Sequence, residues 1–231
     1  MNKKNDFSQG SPWKNIVNMA IPMTLAQLIN VLYNIIDRIY IGHIPESSTN
    51  ALTGVGLALP VITMITAFAN LFGMGGAPLC SIARGAHQQK RAETIMGTSF
   101  SMLLLSGVIL TLFFEIFQKP LLYLFGASSQ TFSYASAYLT IYVAGTLFVM
   151  VSLGMNSFIN SQGFGKTGMA TVLIGAALNI LLDPLFIFIL NMGVQGAALA
   201  TVISQGVSAL WVLRFLTGKK ALLRLSRASA K

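Results

Sequence analysis

QLINVLYNIIDRIYIG, residues 27–42, is apolar enough to enter a bilayer, yet it carries Gln27, Asn30, Asn34 and Asp37. These positions are i, i+3, i+7 and i+10, which puts them on one stripe of an α-helix; the rest of the surface is mostly Leu, Ile, Val and Tyr. A carboxylate at membrane depth costs about 2.5–3.5 kcal/mol on insertion scales, so it is rarely found there without a partner or a task. The stretch predicts a transmembrane helix whose polar stripe faces a chamber built by the rest of the chain.

Composition points the same way. Of 231 residues, 54% are hydrophobic and 9% charged, with a mean hydropathy of +0.70, whereas a soluble domain carries about 25% charged residues. The net charge of +9 does not indicate nucleic acid, because no basic, aromatic-interleaved soluble module carries it; the basic residues flank apolar segments instead. Cys80 is the single cysteine, which excludes an intrachain disulfide framework and any CxxC metal site. It is expected to pack as a small apolar residue. The first apolar segment is too long, and too polar along its stripe, for a cleavable signal, and it is expected to remain in the membrane.

Outward from the first stretch, the chain divides into a cytoplasmic segment 1–14, a six-helix transmembrane lobe 15–216 and a basic tail or linker 217–231. Trp13 and Lys14 mark the first membrane boundary. Spans are expected at about 15–41, 52–80, 94–117, 131–158, 169–190 and 197–216, each sufficient for a hydrocarbon core of about 30 Å. The second holds Pro60 and the GMGGAP cluster at 73–78, which predicts a kink or a close helix contact. QKP at 118–120 is expected to stop the third span, and QGFGKTG at 162–168 to form a glycine-rich turn. The expected fold class is an all-α membrane protein, a six-helix bundle.

Orientation follows from the basic residues. Lys3, Lys4 and Lys14, then Arg84, Lys90 and Arg91, then Lys166, and finally Arg214, Lys219, Lys220, Arg224, Arg227 and Lys231 all fall on one side of a six-span chain. Only Arg38 and Lys119 of the 15 Lys and Arg lie elsewhere. A plasma-membrane protein with both termini cytoplasmic is the expectation. The tail reads as an orientation anchor or interdomain linker, with an anionic-lipid-binding helix as the alternative.

Of the acidic residues, only Asp37 and Asp183 lie well inside apolar helices; Asp6, Glu46 and Glu93 belong to polar segments, and Glu115 stands near an outer boundary. Asn179 and Asp183 are i, i+4 and share a face, and Pro184 is expected to bend the helix and free the carbonyl of Ile180. Carboxylate, amide and carbonyl oxygens suit a hard cation. Alternatively, two carboxylates brought together in a low dielectric cannot both stay ionised, so the pair holds and releases a proton. The plainer alternative is that both aspartates pair with Arg38 or with backbone donors and simply hold the bundle. Asn156 with Asn160, and Thr201 with Gln205, are further i, i+4 pairs that either line a cavity or bond between helices at about 0.6 kcal/mol apiece. Tyr33, Tyr40, Tyr138 and Tyr142 are either cavity walls or interface residues. His43 and His87 have no histidine or cysteine partner for a metal site, and no GxSxG, HExxH, Walker or dinucleotide motif is present. Neither an enzyme nor a cofactor is indicated.

IPMTLAQLINVLYNIIDRIYIGHI resembles the opening helix of the multidrug and toxic compound extrusion (MATE) family of antiporters. SIARGAHQQKRAE, NSFINSQGFGKTGM, and ALNILLDPLFIF followed by GVQGAALATVISQ resemble it as well, in the same order along nearly the whole chain. The resemblance implies that Asp37, Asn179, Asp183 and Thr201 bind the coupling ion, H+ or Na+. Tyr138, Asn156 and Asn160 fall where that family's N-terminal lobe lines its cavity, and Gln27, Asn30, Tyr33 and Asn34 become wall or supporting groups. It also implies export of amphipathic, often cationic, small-molecule drugs or toxic compounds. The family has twelve helices in two six-helix lobes, so this lobe is expected to need a second: a missing half, a second copy or a paralogue. A lipid-linked oligosaccharide flippase of the same wider superfamily and a non-transporting membrane scaffold are the alternatives. The flippase would call for more basic residues inside the spans than Arg38.

Overall fold

Residues 11–44 and 48–225 are described by a computed structural model. The expected N-terminal segment up to residue 10, Glu46, and the tail from residue 226 lie outside these residues. All regular structure among the described residues is helical: α1 Pro12–Gly42, α2 Ser48–Gly85, α3 Gln89–Leu124, α4 Phe132–Ala144, α5 Thr146–Ser161, α6 Gly165–Pro184 and α7 Val194–Thr217, with a π-helical turn Leu185–Ile189 after α6. In hydrocarbon every backbone polar group must be satisfied within the segment, and apolar runs of this length meet that only as helices. Five helices are long and apolar enough to cross a bilayer. The pair α4–α5, bent by 57°, meets the same criterion only when the two are taken together, which brings the number to six if they form one broken span.

Three local readings differ from the sequence expectation. The fourth span is not continuous, because the chain turns at Gly145, where an added Cβ would strike the side chain of Val202 on α7. The close crossing of α7 sets that break. QKP does not stop α3, which continues through Pro120 to Leu124. A proline removes one hydrogen bond but has a helical φ, and burial of Leu122 beyond it rewards continuation. Gln118, two residues earlier, ties α3 to α4 through Ser136 O at 3.3 Å and Thr140 Oγ1 at 3.1 Å. Pro184 does not bend a continuing α-helix; α6 gives way to the wider π turn, closed by Leu190 N–H to Leu185 O at 2.9 Å.

The expected glycine contact in α2 is present. A Cβ on Gly73 would lie 2.6 Å from the backbone oxygen of Gly154 on α5, so the two helices touch backbone to backbone. The turn expected at 162–168 is confined to residues 162–164, where Gly163 adopts φ +89° and Phe164 N–H returns to Ile159 O at 3.2 Å, and GKTG instead begins α6 at Gly165. The core lies among α2, α3, α5 and α7, where Ile65, Met96, Leu103, Met150, Phe158 and Leu216 are fully buried. α1 stands at the edge and packs chiefly on α6. Its outer face leaves Leu25, Leu28, Leu32, Ile35 and Ile39 exposed, as a helix bathed in lipid can.

The chain beyond α7 is a strap that folds back under the bundle. The amide of Gln162, at the end of α5, is fully buried, and its Oε1 accepts the N–H groups of Leu222 and Leu223, each at 2.9 Å. Gln89 Nε2 donates to Leu222 O at 2.8 Å, and Leu225 N–H to Leu216 O at 3.0 Å. Ala221 and Leu223 are buried. Residues 218–225 therefore form a docked, non-helical segment rather than an amphipathic helix.

Candidate functional site

A cavity of about 210 Å³ opens between α1 and the inner helices. α1 contributes Asn30, Tyr33, Asn34, Asp37 and Arg38 to its wall; these recur at helical spacing because one face of α1 is turned inward. α4 adds Tyr138 and Tyr142, whose rings stack with centroids 6.0 Å apart. α5 adds Ser152 and Asn156, and α7 adds Thr201, Gln205 and Ser208.

Asp37, on this wall, and Asp183, buried beside it, come within side-chain interaction range of each other. Asp183 is fully buried and Asn179 nearly so. The Asn179 amide Nδ2 donates to Asp183 Oδ1 at 3.2 Å and to Thr201 Oγ1 at 3.3 Å. One amide thus bridges α6 and α7 and leaves its own Oδ1 without a hydrogen-bond partner among the described residues; Asp37 Oδ1 and Asp183 Oδ2 are likewise buried without one. A buried acceptor left unpaired costs about 1–3 kcal/mol. Oxygens of this kind, gathered with the Thr201 hydroxyl, match the donor set of a hard monovalent cation or a shared proton. The charge of Arg38, a solvent-accessible residue of the same wall, acts on Asp37.

The remaining sequence candidates divide by position. Tyr33 is in contact with the side chains of Asn34 and Gln205, so it spans the cavity from α1 to α7. Asn34 also donates to Asn30 O at 2.7 Å. Asn156 lines the cavity and donates to Gly168 O at 3.2 Å, so it both faces the space and ties α5 to α6. Asn160 is not on the cavity wall; its amide packs so closely on Gly168 that a Cβ there would collide with it. Gln27 is exposed and lies beyond the wall residues of α1. Ser152, Thr171 and Ser208 were not singled out from sequence, yet all three line the cavity, with Ser208 Oγ donating to Thr171 O at 3.1 Å. The available signal was spacing: Ser208 is i+7 from Thr201, and Ser152 is i−4 from Asn156.

The MatE family model matches residues 22–185. The multidrug export protein MepA of Staphylococcus haemolyticus is 30% identical over 225 residues, covering 97% of this chain and 49% of the relative. MepA of Staphylococcus aureus strain NCTC 8325 is 28% identical over 207 residues, covering 90% and 46%. Among solved structures, a MOP superfamily transporter from Pyrococcus furiosus superposes with a TM-score of 0.91 at 28% identity, over 100% of this chain and 51% of that one. An outward-facing multidrug resistance transporter of the MATE family gives 0.87 at 29%, over 95% and 50%. The chain spans about half the length of the relatives it matches.

Proposed function

The chain belongs to the MATE family, and from that premise we propose that it acts as one six-helix lobe of a cation-coupled exporter of amphipathic, often cationic, drugs or toxic compounds. The observation that carries this reading is the meeting of Asp37 and Asp183 at a buried point beside the cavity, with Asn179 and Thr201 completing an oxygen cluster. Two carboxylates brought together in a low dielectric require a shared proton or a cation between them. One sits on α1 and the other on α6, the helix against which α1 chiefly packs. Losing the proton or Na+ sets like charges across that seam and pushes α1 away. Regaining it lets the seam close.

Ion occupancy thereby changes the shape of the cavity, and a second lobe turns that change into alternating access. The stacked tyrosines and the aliphatic residues of α2 offer an apolar wall to a compound, and the carboxylates offer a counter-charge. The termini are assigned to the cytoplasm of a plasma-membrane protein on the distribution of Lys and Arg. The flippase reading draws no support from the cavity, whose wall has Arg38 as its one basic residue.

The test is drug resistance in cells expressing the chain together with its second lobe. Asp37→Asn or Asp183→Asn should abolish efflux while membrane levels of the protein stay normal. Efflux equal to the wild type in both variants would refute ion coupling at this pair.

A further inference from the structure

The strap after α7 leaves a second and larger hollow, about 690 Å³, at the end of the bundle that carries the basic loops. Its wall is made by Thr167, Trp211, Arg214, Phe215, Lys219 and Lys220. Among the described residues, three cations converge there and no carboxylate lines the hollow. Trp211 and Arg214 come from the last turns of α7, while Lys219 and Lys220 come from the strap. The buried Gln162 clamp on Leu222 and Leu223 is what returns those two lysines to the helix end. Phe215 is fixed by an edge contact with Phe164, centroids 5.0 Å apart, and gives the hollow an apolar back wall.

We infer that this hollow is a binding site for the headgroup of an anionic phospholipid, with the phosphate held by Arg214, Lys219 and Lys220 and the upper acyl chain lying along Trp211 and Phe215. The level fits, since a tryptophan one to two turns inside a spanning helix followed by lysines is the arrangement of a membrane–water interface. Thr167 lies in the first turn of α6, whose positive dipole end favours an anion further. Complementing the carbonyl end of α7 would account for Arg214. It does not account for two more cations brought back by a clamped strap around an apolar-backed hollow. The site requires the chain to be embedded in a bilayer but is independent of ion-coupled transport, so its failure leaves the proposed function standing, and the reverse holds too.

The experiment uses the chain reconstituted in lipid vesicles on a Trp13→Phe background, which leaves Trp211 as the only fluorophore of its kind. Dibrominated phosphatidylglycerol is compared with dibrominated phosphatidylcholine at equal mole fraction. A basic residue near an anionic surface contributes up to roughly fivefold in partitioning, so the glycerol lipid should quench Trp211 several-fold more effectively. Lys219→Gln with Lys220→Gln should remove most of that preference, and Lys219→Arg with Lys220→Arg should retain it. Equal quenching by both lipids in the unmodified strap overturns the site. So does the absence of quenching by either lipid, which means protein covers the hollow. Loss of the preference on adding inorganic phosphate assigns the pocket to a soluble phosphate and also overturns the lipid assignment.

Discussion

Replacing Gln162 by alanine should release the strap without unfolding the lobe. The Gln162 side chain is fully buried, and its Oε1 accepts the backbone N–H groups of both Leu222 and Leu223 at 2.9 Å. A hydrogen bond of this kind contributes about 0.5–1.5 kcal/mol net, so losing two weakens docking by roughly 1–3 kcal/mol. At tenfold per 1.4 kcal/mol, the opening equilibrium of the strap rises about 5- to 150-fold. The other ties limit the effect to opening rather than detachment: Gln89 to Leu222 O at 2.8 Å, Leu225 N–H to Leu216 O at 3.0 Å, and the buried Leu223 side chain. Hydrogen–deuterium exchange read by mass spectrometry on peptides covering 218–225 measures this opening directly. Protection there should fall within the stated range while peptides from α2 and α5 keep theirs. Gln162→Glu retains an acceptor oxygen aimed at the same N–H groups and should lose less protection. Unchanged exchange in the Gln162→Ala strap would refute the clamp.

Two further outcomes are expected. Gly73→Ala forces a Cβ to within 2.6 Å of Gly154 O and 2.7 Å of Gly154 Cα, backbone atoms that cannot swing aside, so α2 and α5 must part. Overpacking of this sort costs about 1–3 kcal/mol, and the melting midpoint should drop by several degrees, roughly 2–4 °C per kcal/mol at this size. A thiol-reactive dye reporting exposure of the buried Cys80 reads that midpoint, and an unshifted curve would show that the helices do not touch there. Sodium should raise the same midpoint, by the equivalent of about 2.7 kcal/mol at a hundredfold excess over its dissociation constant. The protection should fade at low pH, where protons compete for the carboxylates, and should vanish in Asp183→Asn. Protection that survives in Asp183→Asn would place sodium elsewhere, and a midpoint that responds to pH but not to sodium would assign the pair to protons.

By itself the sequence determined the elements and the chemistry each one carries. Six apolar stretches have no choice but helix in a solvent that offers no hydrogen bonds, and helical periodicity places Asn30, Asn34 and Asp37 on one face of α1 and Asn179 with Asp183 on one face of α6. Periodicity is a local property, so it says which residues share a face without saying where that face stops being useful. Gln27 belongs to the α1 stripe but is exposed, because the cavity wall on that helix starts at Asn30. Asn156 and Asn160 share a face of α5, yet only Asn156 reaches the cavity; the close approach of α6 at Gly168 takes Asn160. Breaks were the least legible feature, since a proline or glycine only permits a bend and its neighbours decide whether it happens. Gly145 breaks a span because Val202 presses on it, whereas Pro120 breaks nothing because Leu122 is buried beyond it. Only the tertiary structure brought Asp37 to Asp183, and the strap to Gln162. Both pairings join groups far apart in the chain, and they form only where packing of α1 on α6, and of the strap beneath α5, supplies the contact that no local pattern encodes.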